Sequence, residues 1–249
     1  MQIFEVGGCI RDEFLGLQSK DIDFTYVSSN RDSIEDAFSE MVEWMNSEGF
    51  EIFLSTPEMV TVRAKFPKQS TRKNLVADFV LARKELGYTQ DSRRPIVVPG
   101  SLEDDLARRD FTCNAIAKSL DGEIIDPFNG IQAIKDKVLI TPLDPLITFQ
   151  DDPLRVLRAF RFSITKGFSI EKRTELAMLN GEVWQKFEKV VSGERVREEL
   201  TKCFKHDTVK TMSDLLHYFD MKIPFESGIN PIQTIFSKGL WLMPTFKEI

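Results

Sequence analysis

Cysteine is scarce in this 249-residue chain, and its placement excludes two classes of site. The three cysteines, Cys9, Cys113 and Cys203, form no Cys-x-x-Cys pair. A structural zinc site needs clustered thiolates, and three thiols cannot all pair with one another. Neither a zinc site nor a disulfide framework is therefore expected, and we predict a reducing compartment.

Histidine and apolar runs are scarce as well. The chain has two histidines, and the His206-Asp207 dipeptide hints at a phosphohydrolase, but no earlier histidine exists to complete its metal set. We interpret that dipeptide as chance. No apolar run approaches the ~20 residues that span a bilayer, and "MQIFEVGG" lacks the basic start of a secretory signal. We expect a cytoplasmic protein with no membrane partner, and we make no prediction about its oligomeric state.

Acidic residues outnumber basic ones, but not in every region. The formal net charge is −6. Residues 1–152 carry 17 Lys and Arg against 27 Asp and Glu, whereas residues 153–210 carry 13 against 8. Positive charge gathered in one region is the distribution expected where a protein meets phosphate groups, and a solvated helical face would give the same pattern.

Apolar patterning predicts an α+β fold with a boundary near residue 142. Period-two alternation predicts strands, residues 32–46 are predicted as a helix, and Asp-Gly at the centre of "SLDGEIID" predicts a hairpin. From Pro145 onward the spacing is helical, beginning with "DDPLRVLRAFRFSI". We expect a domain of strands and helices at 1–142 and a helical region at 143–249. The four predicted strands are residues 3–6, 21–27, 59–66 and 75–82.

The stretch "VGGCIRDEF" joins a predicted strand to a helix predicted to start near Cys9. Gly7 and Gly8 leave free backbone N–H groups at this junction, and the helix dipole adds positive potential. The turn can therefore hold an anion, with Arg11 in the first turn of the helix. Because a Gly-Gly pair is often only a turn, this pattern does not assign a site by itself.

Three aspartates indicate a divalent cation. Asp21 and Asp23 are two residues apart in a predicted strand, so their carboxylates leave the same face. Asp78 lies in another predicted strand, where an unpaired charge would be unfavourable. Few oxygen ligands favour Mg²⁺, and neighbouring strands would give three carboxylates suited to two-metal phosphoryl transfer. The alternative is a structural ion pair between Asp78 and an arginine.

Two groups of arginines indicate binding of a charged ligand: Arg108 and Arg109, which have no acidic partner in their local sequence pattern, and a later set of three arginines that follows a single acidic residue. Arg108 and Arg109 come directly before a short predicted helix, and the guanidinium fork binds triphosphate oxygens bidentately. Later in the chain, polar side chains recur every three residues and predict a stripe along one side of a helix. We interpret this stripe as a ligand-binding face, and its members are Asp152, Arg155, Arg158 and Arg161.

These motifs, in this order, resemble the class II tRNA nucleotidyltransferase and bacterial poly(A) polymerase family over roughly residues 3–205. The resemblance implies a DNA polymerase beta-like nucleotidyltransferase head with a mixed sheet, followed by an all-helical neck. It implies that Asp21 and Asp23 bind Mg²⁺ and that Asp78 is the acidic catalytic residue of a later strand. "LARKELGYTQDSRRP" resembles the family's ribose-sensing motif. The residues that the resemblance assigns to triphosphate and nucleotide binding in this region are Gly7, Gly8, Arg11 and Arg109.

The resemblance extends into the helical region. The family motif Glu-Asp-x-x-Arg reads "DDPLR" here, so only its first carboxylate departs and the base-reading pair, Asp152 and Arg155, is kept. Arg158 and Arg161 match nucleotide-contacting arginines, and "ERVREEL" resembles the helix that braces this template. The chain stops where family members continue into further helical domains, so we expect a shortened body.

The reaction implied by the resemblance is attack by an RNA 3′-hydroxyl on the α-phosphate of an NTP. We expect the protein to add CCA to tRNA from CTP and ATP, with Mg²⁺ as cofactor. A poly(A) polymerase, an A-only or CC-only adding enzyme and a catalytically inactive RNA-binding relative are the alternatives.

Overall fold

The computed structural model of the chain describes residues 1–19, 21–88, 95–219 and 230–239. The chain divides into two compact units after Asp136, near the boundary predicted at residue 142. We call the part up to Asp136 the first unit and the part from Lys137 onward the second unit. In the described part of the chain, no helix combines the length and apolar content needed to cross a membrane.

The first unit is built on strands. They are β1 (Gln2–Val6), β2 (Asp23–Val27), β3 (Glu51–Thr56), β4 (Thr61–Lys65), β5 (Val76–Leu81), β6 (Arg83–Tyr88), β7 (Pro95–Pro99), β8 (Ala117–Ser119) and β9 (Ile124–Ile125). Within the described residues, seven of them form a sheet in the order β3-β4-β5-β2-β1-β8-β9, and β6 pairs with β7. The β2–β5 pairing is parallel and the other pairings of this sheet are antiparallel. The sheet is therefore mixed, as predicted.

Short helices connect these strands. They are α1 (Gly8–Phe14), α2 (Ile34–Ser47), α3 (Leu102–Ala107) and α4 (Gly130–Lys135), with 3-10 turns at Pro57–Met59 and Thr112–Asn114. Helix α2 begins where the Ser33 hydroxyl accepts a hydrogen bond from the Asp36 backbone N–H, and two acidic residues in its first turn favour the helix dipole. The sequence pattern predicted this helix within two residues at each end.

The predicted strands of the first unit are confirmed as β1, β2, β4 and β5, and the "SLDGEIID" hairpin is confirmed as β8–β9. Strand β2 begins at Asp23, two residues later than predicted. Strand β3 and the β6–β7 hairpin were not predicted. Most residues of β3 are exposed at the sheet edge, so its sequence shows no alternation of apolar and polar residues. Residues 89–94 of the predicted ribose-sensing motif lie outside the described residues.

The two faces of the sheet differ in character. One face packs under α2 around an aromatic core, in which Phe24 and Phe79 stack with ring centroids 5.1 Å apart. Burial of each such side chain stabilises the fold by about 1.5–3 kcal/mol. The opposite face carries a smaller apolar cluster that includes Val6 and Leu106 of α3. Because successive strand residues point to opposite faces, Asp23 lies on this second face.

The second unit is mainly helical. Its helices are α5 (Pro145–Asp151), α6 (Arg155–Lys166), α7 (Lys172–Met178), α8 (Gly181–Val190), α9 (Gly193–His206), α10 (Thr208–Phe219) and α11 (Pro231–Gly239). A two-residue parallel pair, β10 (Val138–Leu139) and β11 (Ser169–Ile170), accompanies them. Trp184 and Phe219 pack edge to face in the core with centroids 5.4 Å apart. The predicted fold class, an α+β unit followed by helices, is confirmed.

One prediction for this region is wrong. The stripe of four polar residues was predicted to lie on one helix, but α5 ends at Asp151 and α6 begins at Arg155. Proline disfavours helical backbone at the residue before it, and Asp152, which precedes Pro153, is extended with φ −135° and ψ 99°. Asp152 is therefore not on the helix that carries the three arginines. Its carboxylate instead accepts a hydrogen bond from the Leu154 backbone N–H at 3.2 Å.

Candidate active site

Two aspartates occupy paired positions on adjacent strands at the centre of the sheet. Asp23 on β2 pairs in register with Asp78 on β5, and in the same row Val6 flanks Asp23 and Arg63 flanks Asp78. Residues paired in register leave the same face of a sheet, so the two carboxylates lie side by side. The sequence predicted this arrangement only on the condition that the two strands were neighbours.

Asp78 makes the ion pair that the sequence analysis left open as an alternative. Arg63 Nη1 lies 3.2 Å from Asp78 Oδ2, and the two side chains are 50% and 34% exposed. An ion pair this exposed contributes about 0–1 kcal/mol to stability. The pair therefore explains little of why an acidic residue occupies this position in the strand.

Asp23 is partly buried on this face of the sheet. Burial raises its pKa above the ordinary value of 3.8, and although Arg109 lowers it, the neighbouring Asp78 and Asp21 raise it further. Asp21 is exposed and lies just before β2. The like charges are thus incompletely neutralised by the side chains around them, a condition that a bound cation would relieve.

The donor set suits Mg²⁺. Among the residues that the structure describes, no group of three or more His, Cys, Asp or Glu side chains is placed to hold a metal ion. Mg²⁺ does not need such a cage, since proteins bind it through one or two carboxylates while water and substrate phosphates complete its coordination. Asp23, with Asp78 in register beside it and Asp21 just before the strand, can supply such a small set of carboxylates.

The turn at Gly7 is in close contact with the side chain of Arg109. Gly7 has φ 83°, a conformation that favours glycine, and it precedes α1. A Cβ atom at Gly7 would lie 2.6 Å from Arg109 Nη1 and 3.9 Å from Asp23 Oδ2. Only glycine therefore allows the Arg109 guanidinium to lie against this turn beside Asp23.

Arg11 was predicted to help hold triphosphate, and the structure places its side chain in a buried network. Its Nη1 donates to Asn114 Oδ1 at 2.6 Å, and its Nε donates to Asp12 Oδ1 at 2.9 Å. The residue is 7% exposed. Arg11 thus ties α1, the helix that follows Gly7, to the Thr112–Asn114 turn.

Arg108 and Arg109 share an acidic partner that the sequence analysis missed. Asp105 accepts from Arg108 Nη2 at 2.5 Å and from Arg109 Nη2 at 3.0 Å. The interpretation that these arginines lack a local acidic partner is therefore wrong. The spacing of three and four residues from Asp105 is the helical ion-pair pattern, and it was the available signal.

Arg109 keeps hydrogen-bonding capacity on the side of the glycine turn. Its Nη1 has a long contact of 3.5 Å to the Asn114 carbonyl oxygen, and its buried Nε has no hydrogen-bond partner among the described residues. Buried donors without partners are unfavourable in a finished fold. An anion at this turn would supply an acceptor for Nη1, which lies next to Gly7.

In the second unit, helix α9 holds the predicted base-reading aspartate. Arg195 Nη2 of α9 donates to Asp152 Oδ2 at 2.8 Å. Arg155, at the start of α6, donates from Nη1 to the Thr148 carbonyl oxygen at 3.2 Å. The segment predicted to brace this motif is therefore the helix that contacts it.

Helix α9 also contacts the third arginine of α6. Arg161 Nε donates to Glu199 Oε2 at 2.5 Å, and the Arg161 guanidinium lies 4.3 Å from the Phe162 ring centroid. The Arg158 guanidinium lies 5.9 Å from the same ring. Arg161 thus joins α6 to α9, a packing role that the predicted ligand face did not include.

The model of the poly A polymerase head domain matches residues 3–140. The tRNA nucleotidyltransferase cca2 of Schizosaccharomyces pombe is 34% identical over 224 residues, which cover 87% of this chain and 46% of that protein. The chain spans about half the length of the curated relatives it matches.

Solved structures give the same picture. The Bacillus stearothermophilus CCA-adding enzyme in complex with CTP superposes with a TM-score of 0.67 and 28% identity, covering 86% of this chain and 47% of that one. A tRNA nucleotidyltransferase complexed with a primer tRNA and an incoming ATP analog superposes with a TM-score of 0.64 and 28% identity, covering 88% of this chain and 57% of that one.

Proposed function

The chain belongs to the class II tRNA nucleotidyltransferase and poly(A) polymerase family, and from this membership we propose that it adds CMP, CMP and AMP to the 3′ end of tRNA without a nucleic-acid template. Its substrates would be CTP, ATP and tRNA lacking its terminal CCA. The observation that carries the proposal is the in-register pair of Asp23 and Asp78 beside the Gly7 turn and Arg109.

The family generally uses a divalent metal ion, and we propose Mg²⁺ for this chain, held by Asp21 and Asp23 with Asp78 as the further catalytic carboxylate. When bound, Mg²⁺ would offset the negative charge that develops on the α-phosphate and on the leaving pyrophosphate. The RNA 3′-oxygen would form the new bond to the α-phosphorus as the bond to pyrophosphate breaks, and the hydroxyl proton would be released to solvent. The backbone at Gly7 and Gly8 would bind the triphosphate.

The arginines of the first unit would contribute to the same binding. Arg109 would donate its remaining N–H groups to triphosphate oxygens, because it keeps donors on the glycine side. Arg11 would contribute indirectly by stabilising the structure around the turn, since its guanidinium donates hydrogen bonds to Asn114 and Asp12. The triphosphate would thus be held by backbone N–H groups and a guanidinium fork.

We propose that Asp152 and Arg155 of the second unit select the base. Asp152 would accept from an exocyclic amine and Arg155 would donate to a ring nitrogen, a pattern that cytosine and adenine both offer. Uracil presents a carbonyl in place of the amine, so it leaves the carboxylate without a donor. The Arg195 contact would keep the carboxylate oriented.

We also propose that Arg158 and Arg161 contact the nucleotide. Arg161 would use its Nη groups, since its Nε donates to Glu199. A cytoplasmic location is likewise a proposal, and it is supported by the burial of all three cysteines as thiols.

The test is incubation of the purified protein with tRNA lacking its 3′ CCA and with tRNA ending in CC, each with single NTPs and with CTP and ATP together. We expect CMP addition to the first substrate, AMP addition to the second, and no UMP or GMP addition. A long adenylate tail would identify a poly(A) polymerase instead. Addition of CMP alone or AMP alone would identify a partial adding enzyme, and binding without turnover an inactive relative.

A further inference from the structure

Asp105 is a buried carboxylate with four donors. Its side chain is 0% exposed. Oδ1 accepts from Arg108 Nε at 3.0 Å and Nη2 at 2.5 Å, while Oδ2 accepts from the Thr25 hydroxyl at 2.9 Å and from Arg109 Nη2 at 3.0 Å. A carboxylate offers about four acceptor sites, so all of them are used. A neutral side chain could not satisfy this set of donors.

Asp105 Oδ2 accepts from both Thr25 of β2 and Arg109, so it connects Arg109 to strand β2. Thr25 lies two residues after Asp23, so both side chains leave the same face of the sheet. Through Asp105 Oδ2, the Arg109 guanidinium is fixed relative to the strand that carries Asp23. The helix that presents Asp105 is itself fixed by the capping box between Ser101 and Asp104.

Electrostatics agree with this geometry. Burial alone would raise the pKa of Asp105, but the guanidiniums of Arg108 and Arg109 outweigh it and hold the pKa below the ordinary range. Asp105 is therefore charged at neutral pH. Two guanidiniums around one carboxylate leave a single net positive charge, and Arg109 brings it to the glycine turn.

We propose that Asp105 is a positioning residue for nucleotide binding, which holds the Arg109 guanidinium against Gly7 so that its remaining donors meet the triphosphate. This inference rests on the proposed function. Asp105 itself touches no ligand. Without its charge, Arg108 and Arg109 would repel each other, and Arg109 would lose the bond that keeps it at the turn.

The first test measures CTP binding by isothermal titration calorimetry in the presence of Mg²⁺ and without RNA. Asp105→Asn keeps the size of the side chain and removes its charge, and we expect it to weaken CTP affinity by about 10- to 100-fold, the range typical of a lost supporting residue. In turnover assays, KM for CTP should rise more than kcat falls. The matched control is Glu103→Gln, at an exposed position of the same helix, and it should leave CTP affinity within about twofold.

A double-mutant cycle separates positioning from general loss of structure. If Asp105 acts through Arg109, Asp105→Asn should change CTP affinity little when Arg109 is already lysine, because the guanidinium that it positions is gone. An equal effect of Asp105→Asn in both backgrounds would overturn the proposal, as would unchanged CTP affinity in the single variant. Wild-type protein that binds neither CTP nor ATP would instead refute the proposed function.

A milder variant keeps the proposal testable if Asp105→Asn does not fold. Thr25→Val preserves shape and both arginine contacts but removes one donor to Asp105 Oδ2. We expect it to fold and to weaken CTP affinity by about two- to tenfold, the effect of one lost hydrogen bond. Unchanged CTP affinity in folded Thr25→Val protein would contradict the inference.

Discussion

The two units of the molecule treat charge in opposite ways. In the first unit, Asp23 and Asp78 lie side by side, the Arg63 that pairs with Asp78 is half exposed, and the pKa of Asp23 is raised. In the second unit, two of the predicted nucleotide-binding residues form ion pairs with α9. Asp152 pairs with Arg195, and Arg161 pairs with Glu199.

The contrast indicates which kind of ligand interaction each set of side chains favours. Like charges placed together in a partly buried row favour a ligand of opposite charge, because that ligand restores the neutrality that the protein does not supply. Side chains held by ion pairs are already oriented before a ligand arrives, which favours selection between similar ligands. The row of Asp23 and Asp78 in the first unit is therefore arranged for charge compensation, whereas Asp152 and Arg161 of the second unit are arranged for orientation.

The largest effect should come from removing carboxylates of the first unit. We expect Asp21→Ala and Asp23→Ala to reduce nucleotide addition below detection in an RNA primer-extension assay, since each removes a proposed cation ligand and no core packing. Circular dichroism should show an intact fold. Asp32→Ala, at an exposed aspartate of the same unit, is the control and should retain activity. Normal turnover by Asp21→Ala or Asp23→Ala protein would refute the cation assignment.

Asp78→Asn distinguishes catalysis from the ion pair. The charge is removed while the shape is kept, so a catalytic role predicts a rate loss of at least ~100-fold. The exposed Arg63 pair predicts a shift in Tm of at most about 4 °C. Arg63→Met removes the same ion pair and keeps the carboxylate, so it should lower Tm equally and keep turnover. If Asp78→Asn protein kept the same turnover as Arg63→Met protein, Asp78 would have a structural role and no catalytic one.

Arg155→Ala should change base selection in the second unit more than it changes rate. Loss of one donor to the base predicts that discrimination against UTP narrows by on the order of 1–3 kcal/mol. The measurement is kcat/KM for CTP, ATP and UTP on the same RNA. Lys172→Ala removes one exposed positive charge of the same unit and should leave the ratios unchanged. A uniform fall for all three nucleotides would indicate that Arg155 does not read the base.

The smallest effect concerns a satisfied carboxylate of the first unit. Glu40 accepts from Tyr26 and Ser28, and although burial opposes it, hydrogen bonds hold its pKa at about 2, below the ordinary 4.5. A lowered pKa contributes stability that is present above pH 4.5 and is lost as the pH falls through about 2. Glu40→Gln should therefore lower Tm at pH 7. The Tm difference from the wild type should shrink as the pH falls from 4.5 to about 2.

Exposed Glu43 on the same helix provides the control for this prediction. Glu43→Gln should leave Tm nearly unchanged at both ends of the pH range, because its side chain is exposed to solvent. If the Glu40→Gln difference stayed constant down to pH 2, the hydrogen bonds would not be what stabilises the charged form.

The sequence pattern predicted the individual strands better than it predicted which strands are neighbours in the sheet. Alternation around Phe24 and Phe79 was sufficient to place both strands, because burial on one face leaves a period-two pattern. The pairing of Asp23 with Asp78 depends on sheet order, which no local pattern encodes. The β3 edge strand shows no alternation because most of its residues are exposed.

Two site features could have been predicted more closely. Pro153 already indicated that Asp152 would leave the helix, and the spacing of Asp105 from Arg108 and Arg109 already indicated their ion pairs. The partners that α9 supplies to Asp152 and Arg161 could not be located from spacing, since they lie 43 and 38 residues away in the chain.

The central claim is that the charge on Asp23 is unfavourable in the fold until a cation binds. Its raised pKa means that the stability it contributes when protonated is lost as the pH rises through that pKa, so charged Asp23 destabilises the cation-free protein at pH 7. The direct measurement is Tm at pH 7 for wild-type and Asp23→Asn protein, each with a chelator and with Mg²⁺ plus CTP. We predict that Asp23→Asn has the higher Tm with the chelator and that only the wild type is further stabilised by Mg²⁺ and CTP. A less stable Asp23→Asn protein that responds to Mg²⁺ and CTP as the wild type does would contradict the claim.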